Sequence, residues 1–456
     1  MVFIRYKKIG NMEYAYEVTS YWDKEKKAPR QRSRYLGQVV DKEKGIIVKP
    51  GRVRTEQEKM ILDFGDSYFL MKFMEKEMTD IYNYLKKTGA LSSVLYRILN
   101  KSAMRRAKTW QDGNIAGLLC PDDLTSQRIT EFLVNFGEER NIREFYRLYV
   151  HSPESGISID TTALPNQIDL DITQWGYSSD TVDEEIKLVL VMDRKNNRPL
   201  YFRYIPGGIL DVSSLTTTDA EMKQLGINST LTILDAGFFS EDNIISLCDD
   251  NTGFLIRVPA NRSFYHDLIE SSQDIENPDL SAVYGKRIMF IKTGRMKYGN
   301  HDVYVHTVLD PERRGRELRR YLIKHRKDFN RFSVKRKGFM VLMSSMEIKK
   351  EDIIPLYYTR QFVEKAFSYS KDDLSLLPLR VHSDDALRGY LFLIFISLIV
   401  YMGIQKKIGS VEISLDILRN LKCKVFKKEI VVQEPTKEQK ELFEKIGVIV
   451  PNTMEI

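Results

Sequence analysis

Hydrophobic positions follow two rhythms along the chain. In residues 1–50 apolar and aromatic side chains alternate with polar ones, so VFIRYK, YAYEVTSYW and RQRSRYLGQVV read as strands. GNM and DKEKKAP read as the turns between them. In the second strand Tyr14, Tyr16 and Val18 alternate with Ala15, Glu17 and Thr19, the two-residue period of a half-buried strand. From Thr55 the period lengthens. Met60, Ile61 and Phe64 fall at helix spacing, and further helical segments follow around 67–87, 90–107 and 125–149, separated by QDGN and CPDD. The expectation is a β unit over 1–50 and a helical domain over 51–150. The basic cluster KSAMRRAK at 101–108 makes DNA binding one reading of that domain; a solvated helix face is the other.

The pattern changes again at Ser155. GISIDTTAL reads as a short apolar strand ending in a carboxylate, and IKLVLVMD and PLYFRYI as two strands around the turn RKNNR. TTDAEMKQLG reads as a helix with threonines at its start and Gly226 just past its end. LTILDAG, SEDNIISLCDD and GFLIRVP then read as strand, helix and strand. Helices interleaved with strands in the order β-β-β-α-β-α-β predict an α/β layer fold. Residues 260–350 interrupt it with strand-like runs (AVYGKRIMFIKTGRMKYGNHDVYVHTVLD, GFMVLMSS) and a basic helical stretch, RRGRELRRYLIKHRKDF. Helical character resumes after Pro355. The expected division is a core over 151–259 and 351–410, a β-rich insertion with a basic helix over 260–350, and a C-terminal segment over 411–456.

Composition narrows the class. With 43% hydrophobic and 29% charged residues the chain resembles an ordinary soluble globular protein. Cys120, Cys248 and Cys423 lie far apart with no CxxC spacing, which argues against a zinc site or a disulfide framework. No apolar signal-peptide core follows Met1. The apolar run Leu391 to Tyr401 falls short of the ~18–20 residues of a membrane span, so it is expected as a buried helix and the protein as cytoplasmic, with no membrane partner. Seventy basic against 63 acidic residues leave a net charge of +7. That balance permits nucleic-acid binding without requiring it.

Candidate chemistry lies in three carboxylates. Asp160 and Asp235 each follow a buried-looking strand, GISI and LTIL, and a carboxylate at the C-terminal end of such a strand faces the crevice where α/β folds bind ligands. A helix cap or turn former is the plainer reading of either one alone. At 355–371, PLYYTRQFVEKAFSYSK, Pro355 suits a helix start. Tyr357, Arg360, Glu364 and Lys371 then share one face within ~60°, at ~100° per residue, with Phe362, Val363 and Ala366 opposite. Such a stripe can hold metal and phosphate. On periodicity alone, a solvated face with an incidental Arg–Glu pair fits better.

Tyr357, Arg360, Glu364 and Lys371 match in full the pattern Tyr-x2-Arg-x3-Glu-x6-Lys, the YREK signature. With SIDTTAL, LTILDAGFFSEDN, PGGILDVSSL and the N-terminal RYLG, the chain resembles the DDE transposases of bacterial and archaeal insertion sequences, in the branch with a β-rich insertion before the last acid. The resemblance covers about 150–405. It implies an RNase H-like mixed-sheet core, with Asp160, Asp235 and Glu364 as catalytic metal ligands and Tyr357, Arg360 and Lys371 as DNA-phosphate holders. It further implies Mg2+, with Mn2+ able to substitute, for cleavage at transposon terminal inverted repeats and strand transfer into target DNA by a homodimer. Three carboxylates without His or Cys suit such hard cations. Two other functions stay open: a catalytically inactive DNA-binding descendant, and an RNase H-like nuclease without strand transfer.

The chain departs from its relatives at two points. Gly389 is followed by Tyr390 where a His is common, and the insertion has no Trp, since the tryptophans are Trp22, Trp110 and Trp175. Both departures bear on hairpin-style handling of DNA ends, and neither touches the acids. His382 reads as a structural hydrogen bonder, Thr161 and Thr162 as strand-end residues, and the basic run 313–337 as a solvated helix or, as the resemblance implies, a DNA-backbone contact.

Overall fold

The structure, a computed structural model, describes residues 2–9, 12–23, 27–41, 46–48, 60–120, 122–150, 153, 155–178, 181–209, 211–325 and 330–455. The chain forms two compact units. One comprises 1–60, 424–431 and 453–456; the other comprises 61–423 and 432–452.

In the first unit β1 (Val2–Ile9), β2 (Met12–Asp23), β3 (Ala28–Asp41) and β4 (Ile46–Val48) form an antiparallel sheet in sequential order. Ala15 and Val18 are both buried on β2, which strict alternation does not allow; the pairing with β3 shifts register between Ala15 and Tyr16, and Tyr14 and Tyr16 pack against Tyr35. The expected helix opening at Thr55 lies outside the described residues. Met60 and Ile61, assigned to that helix from sequence, lie instead on the short strand β5 (Met60–Asp63).

The second unit opens with helices: Gly65–Glu77, Thr79–Thr88 and Leu91–Leu99, then Ser126–Phe136 and Glu139–Tyr149. They gather round the apolar helix Asp384–Ile408, where Phe392 stacks on Phe136 at 4.8 Å. That helix has 25 residues, so the eleven-residue apolar run understated it. By length and composition it could cross a membrane, yet it is mostly buried within the protein. Its close approach to Ser126–Phe136 depends on Gly137 and Gly389, whose backbones nearly touch.

The sheet that carries the candidate acids is mixed. Its strands are β6 (Ile157–Pro165), β7 (Gln174–Ser178), β8 (Thr181–Asp193), β9 (Arg198–Pro206), β10 (Leu231–Leu234) and β11 (Gly253–Arg257). β6, β8 and β9 form an antiparallel meander; β10 joins β6 in parallel and β11 joins β10 in parallel. The spatial order β9-β8-β6-β10-β11, with helices Asp211–Gln224 and Glu241–Asp249 in the crossovers, is the RNase H-like arrangement. β7, which the sequence pattern did not predict, is a strand paired to β8. The first crossover helix begins at Asp211, well before the threonines taken as its start.

Residues 281–344 extend the same sheet. β12 (Ser281–Tyr284), β13 (Arg287–Tyr298), β14 (His301–Leu309) and β15 (Phe339–Ser344) are antiparallel, and β15 pairs with β11, giving ten strands among the described residues. Leu231 and Ile233 of β10, Leu255, Val308 and Leu342 form one apolar face, covered by Ile353, Ile354 and Tyr357 of helix Lys350–Tyr358. Between β14 and β15 runs the basic helix Pro311–Lys324, which buries none of its residues; residues 326–329 of the basic run lie outside the described residues.

Candidate active site

Asp160 and Asp235 meet because two strands share a register. Thr232, Ile233 and Leu234 pair with Ile157, Ser158 and Ile159, so the next step sets Asp235 beside Asp160. Side chains alternate across a strand, which turns both carboxylates to the face that carries Ile233. β10 stops at Leu234, leaving Asp235 at its carboxyl end. β6 does not stop at Asp160, as expected from GISID, but runs on to Pro165 against β8. Asp160 is therefore mid-strand, opposite the end of its neighbour.

Helical chain on that face delivers the remaining groups, though not as the single helix from Pro355 expected. One helix runs Lys350–Tyr358 with Pro355 inside it, and a second runs Gln361–Ser368. At the junction the bonds tighten: Arg360 N–H donates to Tyr357 O at 3.3 Å and Val363 N–H to Arg360 O at 2.9 Å. These i→i−3 links wind the chain more tightly than an α-helix. Val363, Ala366 and Phe367 are buried against the sheet, and Glu364 faces out. A π-helical turn, Tyr369–Asp373, then carries Lys371.

Arg360 joins the three acids. Its Nη2 donates to Asp235 Oδ2 at 2.9 Å and to Asp160 Oδ2 at 3.4 Å, while Nη1 lies 3.0 Å from Glu364 Oε1. The two aspartate oxygens are thus no further apart than the 6.3 Å these two lengths span. Tyr357 donates its hydroxyl to Asp235 Oδ1 at 3.1 Å, and Thr161 N–H donates to Asp160 Oδ1 at 2.9 Å. Each aspartate therefore has one oxygen fixed by the protein and the other on the guanidinium. Arg360 is 13% exposed and Glu364 52%, so the cluster opens to solvent on the glutamate side.

The charges respond to this packing. Burial pushes the Asp160 carboxyl up to about 6; Arg360 and the Thr161 amide oppose the rise, and the neighbouring Asp235 and Glu364 add to it. Burial works against the Arg360 charge, but Asp235, Tyr357, Asp160 and Glu364 outweigh it and hold the guanidinium above its ordinary value. Burial first, then the Asp235 carboxylate, keeps the Tyr357 phenol protonated.

Lys371 does not join the acids. Its ammonium donates to Thr162 Oγ1 at 2.7 Å and Ala163 O at 3.0 Å, and burial lowers its pKa. Thr162, read only as a strand-end residue, is thus the partner of Lys371. Sequence offered a faint signal for this, since a hydroxyl two residues past Asp160 points to the same face. His382 is exposed, in a loop before the long apolar helix.

Three carboxylates on one guanidinium leave two negative charges uncompensated when all are ionised. Oxygen-only donors with that excess suit a hard divalent cation. Among the described residues no three His, Cys, Asp or Glu side chains stand at metal-binding spacing. The reason is local: the guanidinium fills the space between Glu364 and the aspartate pair.

Residues 151–400 match the family model described as the transposase DDE domain. The chain belongs to that family. The matched span runs from the start of β6 through most of the long apolar helix, so it contains both aspartates and the helix with Glu364. Among solved structures, a piggyBac transposase in a synaptic complex with hairpin DNA is similar, with 12% identity, a TM-score of 0.37, and coverage of 84% of this chain and 70% of that one. No curated protein matches. In the present chain the acids come from β6, the middle strand of the β9-β8-β6-β10-β11 array, from its parallel neighbour β10 and from a covering helix.

Proposed function

We propose that the transposase is an insertion-sequence enzyme of the YREK branch, which cuts DNA at the terminal inverted repeats of its element and joins the freed ends to target DNA. The observation that carries this is the convergence of Asp160, Asp235 and Glu364 on Arg360. Asp160 and Asp235 are the proposed cation-holding pair, and Glu364, on the solvent side, completes the set when Arg360 swings out. Mg2+, with Mn2+ able to substitute, supplies charge neutralisation at phosphorus and activation of the attacking oxygen when bound.

The chain's own groups do the rest. Tyr357 and the Thr161 amide hold the two aspartates so that their free oxygens face one point. Arg360, released from the acids, pairs with a phosphate, for which its planar fork is suited. Lys371 leaves Thr162 for a second phosphate. The pairing of two element ends calls for a homodimer, acting on chromosomal DNA in the cytoplasm.

The test is a metal-dependent assay on a donor duplex bearing the repeats that flank the gene. Cleavage and joining in Mg2+, lost in Asp160→Asn, Asp235→Asn and Glu364→Gln, is the expected result. Binding without cleavage would reduce the protein to a DNA-binding descendant, and cleavage without joining to a nuclease.

A further inference from the structure

Apart from the residues of the acid cluster, the helical part of the second unit holds a basin of about 790 Å3, which the catalytic reading does not use. Its walls come from the turn after helix Leu91–Leu99, from helix Ser126–Phe136, and from the loop 375–383 that follows the Lys371 turn. Its charged residues are Arg97, Lys101, Arg105 and Arg380, with no acid among its lining side chains. Lys101 is paired with Asp373 and Glu412, whereas Arg105 and Arg380 are exposed and make no salt bridge among the described residues.

Arg97 forms the floor. It is 1% exposed, and its Nη atoms donate to the carbonyls of Leu374, Asn100 and Ser102. Its Nε has no partner. A buried guanidinium with an unmet donor and no carboxylate is costly, and it adds fixed positive charge beneath the basin. The lining also carries apolar side chains, Leu379 and Tyr390 among them. Cationic and apolar side chains in one basin together suit a phosphate with its base or sugar. The volume matches a small-molecule pocket and is far too small for a duplex.

We infer that this basin binds one nucleotide unit of a DNA strand, with its phosphate on Arg105 and Arg380 and its base along the Leu379 side. The inference rests on the DNA-processing reading above and adds a strand-binding site to it. Because the loop 375–383 continues directly from the turn holding Lys371, a strand seated here lies next in the chain's own order to the proposed phosphate holders.

The experiment is fluorescence anisotropy of the full-length protein with labelled duplex carrying a single-stranded overhang, at salt between ~50 and ~200 mM. Arg105→Gln/Arg380→Gln is expected to weaken binding about tenfold at the lower salt and to flatten the log–log salt slope by about 1.4, the single-strand value for two phosphates. Arg105→Lys/Arg380→Lys should restore the slope, and Lys437→Gln/Lys440→Gln, a charge-matched change elsewhere, should leave it intact. Wild-type protein that binds while the Gln pair binds equally well overturns the basin alone. Wild-type protein that binds no DNA overturns both the basin and the DNA-processing reading. Tighter binding of the same overhang made as RNA overturns DNA as the occupant.

Discussion

Arg360 Nη2 lies 2.9 Å from Asp235 Oδ2, and the same nitrogen reaches Asp160. A cation of the protein's own therefore stands between the two acids that the proposed chemistry gives to metal. Arg360 holds the carboxylates together, and it must leave for a divalent ion to enter.

Replacing Arg360 with Gln should first show in stability. Removing one partner of a largely buried charge cluster costs about 3 kcal/mol, so the EDTA-treated variant should melt well below wild type. Millimolar Mg2+ should recover much of that loss, because an ion that binds only the folded state stabilises it. A variant that gains no more from Mg2+ than wild type does would show that Arg360 is not the counter-ion described.

Asp160 makes stability depend on pH. Its folded pKa of about 6 lies above the ordinary carboxyl value of 3.8, so the folded state binds the proton more tightly. Its contribution is fully present below about pH 4 and is lost as pH rises through about 6. In EDTA, Asp160→Asn should thus raise the melting temperature at pH 7, by the equivalent of up to about 3 kcal/mol, and leave it unchanged near pH 4. Equal shifts at both pH values would remove burial as the dominant influence on this carboxyl.

Lys371 and Thr162 can be separated by their variants. Should the ammonium serve phosphate, Lys371→Met will slow cleavage at least about tenfold, in the range of a lost charge-assisted contact, while Thr162→Val stays within about threefold. Equal losses in a single-turnover cleavage assay would make the pair a structural staple instead.

Gly389→Ala tests the helical packing. A Cβ there collides with the Leu133 carbonyl, a backbone atom that cannot turn aside. Overpacking of this kind costs at least about 2 kcal/mol, to be read as a lower urea midpoint with little change in slope. Wild-type stability would mean the two helices stand further apart than described.

Sequence alone determined a good deal about this protein. LTIL and GFLIR are short apolar runs, buried on both faces as parallel strands between layers must be, and with the meander before them they specify an α/β layer fold, to which the resemblance carried by the motifs added the RNase H-like core. Asp235 was legible as a strand-end carboxylate because an ionisable side chain directly after a wholly apolar run has few other places to go. The residues of the Tyr357–Lys371 stripe were legible as a pattern. What only the tertiary structure decided is how these parts meet. Local periodicity is blind to register between strands far apart in sequence, so it placed Asp160 at a strand end, whereas pairing with β8 carries that strand on to Pro165. It treated the stripe as one ideal helix, but the tightened junction at Arg360 and the π turn at Lys371 aim those side chains differently. The position of Arg360 among three acids, and of Lys371 on Thr162, follows from long-range electrostatics and hydrogen bonding. Those interactions link residues some 200 positions apart, and no short window of sequence contains both partners.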